Sequence, residues 1–503
     1  MEAFPTPGRH AIPVFTGYPA PYRVGMSNLG FHFLFRGLRK SSQLRVERLF
    51  SDTAPFTVES GAPLSSAVVI LFSVSYEEDY LNLVRMLVQS GISPLREERG
   101  GRPIVIAGGP AVSANPIPIT GIVDVVSLGE GERPLQGIID VLCEGKRQEP
   151  QQILDRLAEV SGLFIPGSAD RRTFFSPPAE LVDFPRSVII TPDTVFSRTL
   201  LVESGRGCPG ACSFCLATAI YRPYRALPLS ALDAFVSSLS DQPDRLGLVS
   251  TAVAAHPEFS AMVELLDSKG FSISFSSFRA EDLDDGKISL IGSVGTRSVS
   301  LAPESGSERL RFRMGKKIPD GIYFDAAARL RQAGVRHFGL YLLVGLPGET
   351  RETFQETRSF LQGFARAIGT RRFGVHVNVL VPKPWTPLQF HAMPSERELE
   401  ERLVAMRHIC HGLGISVKTK SVRSALRQAV LSLGDERVGK AIVHLVTRHV
   451  SWKKSLAIEG VDTRFPHRRK GIDTVFPWDA IDGPVDRRFL WRRFNHLAEI
   501  DAS

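Results

Sequence analysis

A mixed α/β fold, with two parallel-sheet domains followed by a helical region, is predicted by three observations. Short apolar runs alternate with amphipathic stretches over most of the chain. Glycine-rich turns directly follow several of those runs, as they do at the ligand-facing edge of parallel sheets. The composition, 43% apolar and 23% charged, is that of a folded globular protein. A length of 503 residues accommodates about three domains. The net charge of +8 is diluted over that length and permits an anionic partner without requiring one. The longest apolar stretch, Ala67 to Val74, falls well short of the roughly 18 residues a membrane helix needs. The N-terminus lacks the layout of a secretory signal, and five cysteines are too few for a disulfide scaffold, so a cytoplasmic protein with no membrane association is expected.

Residues 1–165 read as the first sheet domain. Val68–Val74 is a buried strand. Asp79 to Ser90 is a helix with Leu81, Val84, Leu87 and Val88 on one face and Gly91 closing it. Ile104–Ala107 and Ile122–Leu128 are further strands, each ending in a glycine turn, Gly108-Gly109 and Gly129-Glu130-Gly131.

Three of the five cysteines, Cys208, Cys212 and Cys215, fall together in SGRGCPGACSFC, spaced C-x3-C-x2-C. The apolar run Thr199–Glu203 precedes them as a strand, and Gly205, Gly207, Pro209 and Gly210 force a tight loop. Three soft thiolates on a loop leaving a strand suit an iron–sulfur cluster or zinc. Structural zinc prefers four ligands, usually in two pairs; no second pair exists, and the nearest downstream histidine is His256. A zinc knuckle or a set of unrelated thiols is the plain alternative. The spacing resembles that of the radical S-adenosylmethionine (SAM) superfamily. The resemblance implies that Cys208, Cys212 and Cys215 hold a [4Fe–4S] cluster whose open iron is chelated by SAM. Electron transfer from an external one-electron reductant, flavodoxin- or ferredoxin-like, would then cleave SAM to a 5′-deoxyadenosyl radical. Phe214 matches the aromatic that lies by the adenine in that family.

Residues 185–394 supply six strands for the partial (β/α)6 barrel that the resemblance implies: Thr199–Glu203, Leu246–Ser250, Ser272–Ser276, Ser298–Ala302, His337–Val344 and Gly374–Val381. Pro257, Gly270, Asp320 and Gly334 mark helix ends between them. Candidate SAM contacts lie at the C-terminal ends of these strands. Ser277 and Arg279 follow the third, where the arginine can fork onto a carboxylate or pair with Glu281 or Asp282. Glu304 follows the fourth, where the resemblance implies a ribose contact. Gly345 and Pro347 follow the fifth, where a glycine lets backbone approach an adenine. The second strand departs from the family: Ser250 and Thr251 stand where a Gly-Gly-Glu run is frequent, and His256 reads as a polar residue before a helix.

Residues 395–503 read as a basic, mainly helical region, with helices Glu396–His411, Ser421–Leu433 and Glu436–His449. Its lysines and arginines, with Trp452, Trp478 and Trp491, are compatible with an RNA substrate or with a helical cap bearing a solvated basic face. The runs GMSNLGF from Gly25, AGGPAVSANP from Ala107, PKPWTP from Pro382 and FPWDAIDGPV from Phe476 resemble a bacterial radical SAM subgroup with an N-terminal cobalamin-binding-like, Rossmann-like domain. That resemblance leaves cobalamin open. The D-x-H-x-x-G motif that supplies a cobalt ligand is absent, and the histidines of the domain are His10 and His32. Cys143 is the one cysteine of that domain, too few for a second cluster of the kind tRNA methylthiotransferases carry. Cys143 and Cys410 read as plain thiols. The expected activity is reductive cleavage of SAM to start radical chemistry on an unidentified substrate, with methyl transfer following if cobalamin binds. RNA or protein modification without cobalamin, and a non-enzymatic metal-stapled nucleic-acid-binding protein, are the alternatives.

Overall fold

The computed structural model describes residues 4–144, 149–167 and 180–499, which include every candidate site residue. The chain divides into two compact units. The first draws on residues 1–201, 430–465 and 474–484; the second on 202–429, 466–473 and 485–503.

The first unit is built on a six-stranded sheet of β1 (Ile12–Tyr18), β2 (Leu44–Phe50), β3 (Val69–Ser73), β4 (Ile104–Gly108), β5 (Val125–Ser127) and β6 (Leu163–Phe164), in the order β2-β1-β3-β4-β5-β6. The first five strands are parallel and β6 runs antiparallel on the edge. This is a doubly wound order whose switch point lies between β1 and β3. β1 and β2 escape sequence reading because Thr16 and Gly17 break the apolar run of the first and Arg45, Glu47 and Arg48 that of the second, although the fold buries both almost throughout. The helix Asp79–Gln89 forms as predicted, with Gly91 at φ 69° beyond it. The helix Glu436–Thr447 belongs to this unit. Gly439 lets it lie against the carbonyl of Pro118, and Asn115 Nδ2 donates to the carbonyls of Ser432 (3.1 Å) and Gly434 (2.8 Å).

The second unit holds the barrel strands. β7 (Thr199–Glu203), β10 (Arg245–Val249) and β11 (Ser272–Phe275) form one sheet. β12 (Ser298–Glu304), β13 (His337–Val344), β14 (Gly374–Val379) and β15 (Ser416–Thr419) form a parallel second sheet in chain order. A parallel bridge between Phe278 and Leu301 continues the first sheet into the second. The six predicted strands are present within two residues of their expected ends. β15 extends the array by one strand inside a region expected to be helical. The two-residue strands β8 (Gly205–Arg206) and β9 (Arg225–Ala226) pair antiparallel and tie together the two ends of the cysteine segment. Among the described residues no helix is long and apolar enough to cross a membrane.

Candidate functional site: the cysteine loop and the strand ends around it

The loop between β8 and β9 is pinned from several sides. Gly207 takes φ 81°, and a Cβ there would meet the Tyr221 carbonyl at 2.2 Å, so a side chain is excluded. Thr251 donates its hydroxyl hydrogen bond to the Gly207 carbonyl. Ser213 N donates to Met314 O at 2.9 Å, and Gly210 N points at Cys208 Sγ from 3.4 Å. From the C-terminal helix, Arg493 Nη2 donates to the Ala211 carbonyl at 2.6 Å. Gly315 makes room for this, since a Cβ would fall 2.5 Å from the Ala211 carbonyl oxygen. The three thiols therefore sit on a loop whose backbone is set by the fold.

The electrostatics of the loop are set by burial. Burial pushes the Cys212 thiol up to about 12 and raises Cys215, and each of these thiols feels Cys208 and Glu304. The largest opposing influence on Cys212 is the ammonium of Lys316. Buried thiols this reluctant to ionise become ligands once a cationic centre supplies the missing charge. Among the described residues no three His, Cys, Asp or Glu side chains converge as they would on a single ion. A [4Fe–4S] cluster takes each thiolate to a different iron, so convergence on one point is not needed for it.

Glu304 ends β12 where the pairing with β13 slips between Leu301 and Glu304. It takes φ 65°, a left-handed conformation unfavourable for a glutamate. Burial raises its carboxyl, and Lys316 Nζ, 3.1 Å away, counters that while also donating to the Ala302 carbonyl. Lys316 carries no motif of its own and escapes sequence reading; the fold brings it to Glu304 and Cys212. Arg279 makes the carboxylate pairing within its own loop that was considered for it. It pairs with Glu281 and, at 3.7 Å, with Asp282, and its Nη1 reaches to 4.0 Å from Cys208 Sγ. Tyr224 is a second residue that sequence reading misses. Its hydroxyl is buried with no hydrogen-bond partner among the described residues. Burial, with Asp282 and Cys208 nearby, pushes it up to about 12. An orphaned donor beside a set of free thiols is the kind of group a bound ligand satisfies.

The remaining candidates spread out. Phe214 is half-buried and Ser277 exposed. Gly345, at φ 89°, turns its missing Cβ toward Leu399, Leu380 and Pro394. Its amide donates to Glu349 Oε2 at 2.7 Å, and Glu349 pairs with Arg402 at 2.9 Å. Pro347 lines a cleft of about 540 Å³ with Glu349, His391 and Arg402. His256 is buried and uses both ring nitrogens, one toward the Leu227 carbonyl (2.9 Å) and one accepting from Glu258 N (3.0 Å), which makes it a structural residue. Trp478 is buried and stacked on Phe476, so its ring is not presented to a base, while Trp491 is half-buried and packs edge-on against Phe390.

Comparison with known proteins decides the family. Residues 202–361 match the radical SAM superfamily, and residues 30–166 match the N-terminal domain of radical SAM proteins. The chain belongs to the radical SAM superfamily. It is a radical SAM enzyme, one that cleaves SAM reductively with a [4Fe–4S] cluster. An uncharacterised protein of Methanocaldococcus jannaschii is 28% identical over 427 residues, covering 84% of this chain and 89% of its own. A tRNA-2-methylthio-N(6)-dimethylallyladenosine synthase of Thermus thermophilus is 27% identical over 157 residues, and the match spans about a third of either protein, 30% of this chain and 32% of that one. Among solved structures, the radical SAM methyltransferase TsrM of Kitasatospora setae superposes with a TM-score of 0.52 at 14% identity, over 76% of this chain and 75% of TsrM. The cobalamin-dependent radical SAM enzyme OxsB gives 0.51 at 17% identity, over 70% of this chain and 52% of OxsB. These likenesses establish the radical SAM fold with a preceding sheet domain.

The N-terminal sheet offers no histidine for a cobalt. His32 is buried, its pKa lowered to about 4 by burial, and both its ring nitrogens are engaged: Nε2 with the Met26 carbonyl (3.0 Å), Nδ1 with Val188 N (3.1 Å). His10 lies ahead of β1, at the N-terminal end of a strand, whereas ligands of such sheets bind at the carboxyl ends. Gly109, at φ 109°, is accounted for by packing, because a Cβ would stand 2.5 Å from the Val74 carbonyl oxygen.

Proposed function

We propose that Cys208, Cys212 and Cys215 hold the cluster, and that SAM binds at the strand ends beside them. The supporting observation is the buried neighbourhood of the loop: three thiols on a fixed backbone, a strained Glu304 locked to Lys316, and the unpartnered hydroxyl of Tyr224. In this reading Glu304 accepts from the ribose hydroxyls. Lys316, Arg279 and Tyr224 offer donors for the carboxylate of SAM, and Phe214 and Ser277 border the nucleoside. Gly345 and Pro347 border it through backbone. The cluster, when bound, supplies the electron that breaks a carbon–sulfur bond of SAM. The chain's own part is to orient SAM and to exclude water from the radical.

The enzyme is cytoplasmic in this reading, and an external one-electron carrier of the flavodoxin or ferredoxin kind reduces it. Residues 1–165 form the cobalamin-binding-like domain, residues 185–394 the radical SAM core and 395–503 the basic helical region. Cobalamin, if it binds, does so at the carboxyl edge of the N-terminal sheet without a histidine ligand from residues 1–165. Methyl transfer is then the expected outcome, as the name of TsrM describes for that enzyme. The relatives that modify tRNA make RNA the substrate class to try alongside small molecules.

The test is anaerobic reconstitution with iron and sulfide, followed by SAM and a strong reductant, with and without hydroxocobalamin. 5′-Deoxyadenosine is expected from the wild type and not from Cys212→Ala, which should remain folded. S-Adenosylhomocysteine forming only with hydroxocobalamin would support methyl transfer. Protein that takes up no cluster would overturn the assignment.

A further inference from the structure

The helix Arg487–Glu499 buries Leu490, Phe494 and Leu497 and packs on Phe390. Its opposite face repeats at helical spacing as Arg488, Phe489, Arg492, Arg493 and His496. Arg488, Phe489, Arg492 and His496 are exposed, and the Arg493 guanidinium lies over the Phe489 ring at 5.9 Å. The helix carries four arginines and no acidic residue before Glu499; Asp486, just ahead of it, caps the Phe489 amide at 2.8 Å. A neighbouring segment adds charge beside this face. Exposed Arg222, seven residues past Cys215, lies within electrostatic reach of Arg493, whose pKa is lowered by burial first and by Arg222 next.

This basic face touches the cysteine loop directly. Arg493 bridges the two, with its guanidinium at the helix surface and its Nη2 on the carbonyl of Ala211, the residue before Cys212. One side chain thus separates an exposed cationic surface with an aromatic at its centre from the loop assigned to the cluster. A carrier that delivers single electrons must come close to the cluster and leave again. Such encounters use small interfaces steered by opposite charge.

We infer that the face formed by Arg488, Phe489, Arg492 and Arg493 with Arg222 is the docking surface for an acidic one-electron carrier protein, which reduces the cluster through the Ala211–Cys212 end of the loop. The inference rests on the assignment of the cluster to Cys208, Cys212 and Cys215. It adds the surface and the point of entry by which the one-electron carrier reaches the cluster.

The experiment uses the full reconstituted chain, with hydroquinone flavodoxin and a reduced [2Fe–2S] ferredoxin as probes, and follows cluster bleaching by stopped flow. Reduction by at least one carrier should slow by roughly tenfold or more between low and moderate salt. The variant Arg488→Glu/Arg492→Glu should lose about as much again at low salt, while Arg488→Lys/Arg492→Lys stays near wild type. Reduction by dithionite, and deoxyadenosine formation driven by it, should be the same in all three proteins. Charge reversal that leaves carrier-driven reduction at the wild-type rate would overturn the docking surface. So would a wild type that dithionite reduces and neither carrier does. Loss of bulk tRNA binding with electron entry intact would reassign the face to RNA. A wild type that assembles no cluster fails at the earlier step, and that failure is visible without any variant.

Discussion

Each half of the chain buries an ion pair at the end of its sheet, and the two pairs are built differently. In the first unit Arg99 Nη2 meets Asp124 Oδ2 at 2.9 Å. The same carboxylate oxygen accepts from Val105 N at 2.8 Å, and Arg99 Nη1 donates to the carbonyls of Ser93 and Pro94. The residues involved keep ordinary backbone angles, and the pair fastens the segment before β4 to the sheet. In the second unit Glu304 meets Lys316 at 3.1 Å from a left-handed backbone on a bulge, with Cys212 and Cys215 within electrostatic reach. The first pair is fully explained by the fold it holds. The second is held in a costly conformation beside the loop that carries three of the five cysteines, and strain of this kind accompanies functional sites.

Breaking both pairs should separate stability from chemistry. Removing one partner leaves a buried charge uncompensated, at a cost on the order of 3–5 kcal/mol. Arg99→Met and Lys316→Met should therefore destabilise their own units by similar amounts in chemical denaturation. Lys316→Met alone should also abolish measurable SAM binding, with partial rescue in Lys316→Arg. SAM binding retained in Lys316→Met would remove the lysine from the site.

The glycine turns sharpen the same contrast at a smaller scale. Gly109 and Gly207 both take positive φ against a neighbouring carbonyl, so the geometry of a glycine turn does not by itself mark a ligand site. Gly109→Ala should cost about 2–3 kcal/mol from strain and clash together, and leave iron content and deoxyadenosine yield per folded molecule unchanged. A specific loss of activity with normal stability would mean that the turn contacts a ligand after all.

How much of this was legible beforehand follows from what kind of signal each element carries. The strands from Thr199 to Val379 announce themselves because apolar runs alternate with amphipathic helices, and the three cysteines because their spacing is local. β1 and β2 are silent, since Thr16 and Gly17 interrupt the one apolar run and Arg45, Glu47 and Arg48 the other. β15 is silent because four residues, Ser416–Thr419, half of them exposed, look like a helix linker. Lys316, Tyr224 and Arg493 could not be found in the sequence: each becomes notable through a neighbour 12 or more residues away, Lys316 through Glu304 and Arg493 through Ala211. The docking of Glu436–Thr447 on the first unit is of the same kind, written only in the fit of Gly439 to Pro118.

Tyr224 tests the site where the orphaned donor is. Its hydroxyl has no partner to lose, so Tyr224→Phe should leave the stability of the apoprotein unchanged or slightly raised. If the hydroxyl donates to bound SAM, the same change should weaken SAM binding by about tenfold, near the ~1.4 kcal/mol of one hydrogen bond to a charged group. Equilibrium binding of SAM to the reconstituted protein reads this directly. Unchanged affinity would mean that the hydroxyl faces something other than SAM.

The smallest expected effect lies at the switch point of the first sheet. Asp79 opens the helix after β3, and burial raises its carboxyl to about 7, with Glu77 and Glu78 adding to the rise. A carboxyl whose folded pKa exceeds its unfolded value holds its proton longer in the folded state. Between about pH 4 and 7 the folded protein then binds more protons than the unfolded chain, and stability falls as pH rises through that window. The penalty is complete above pH 7 and absent below pH 4. Asp79→Asn keeps the shape and removes the charge, so it should raise the melting temperature by about 2–4 °C at pH 8, as ~1 kcal/mol does for a domain of this size, and by nothing measurable at pH 4. The same substitution in the presence of hydroxocobalamin adds one more reading. Asp79 stands at the carboxyl edge between β1 and β3, where a sheet of this order binds its ligands. A pH-dependent gain that disappears when hydroxocobalamin is added would mean that the ligand already relieves the buried charge, and would place it at the switch point; a gain unaffected by it would leave Asp79 a property of the fold alone.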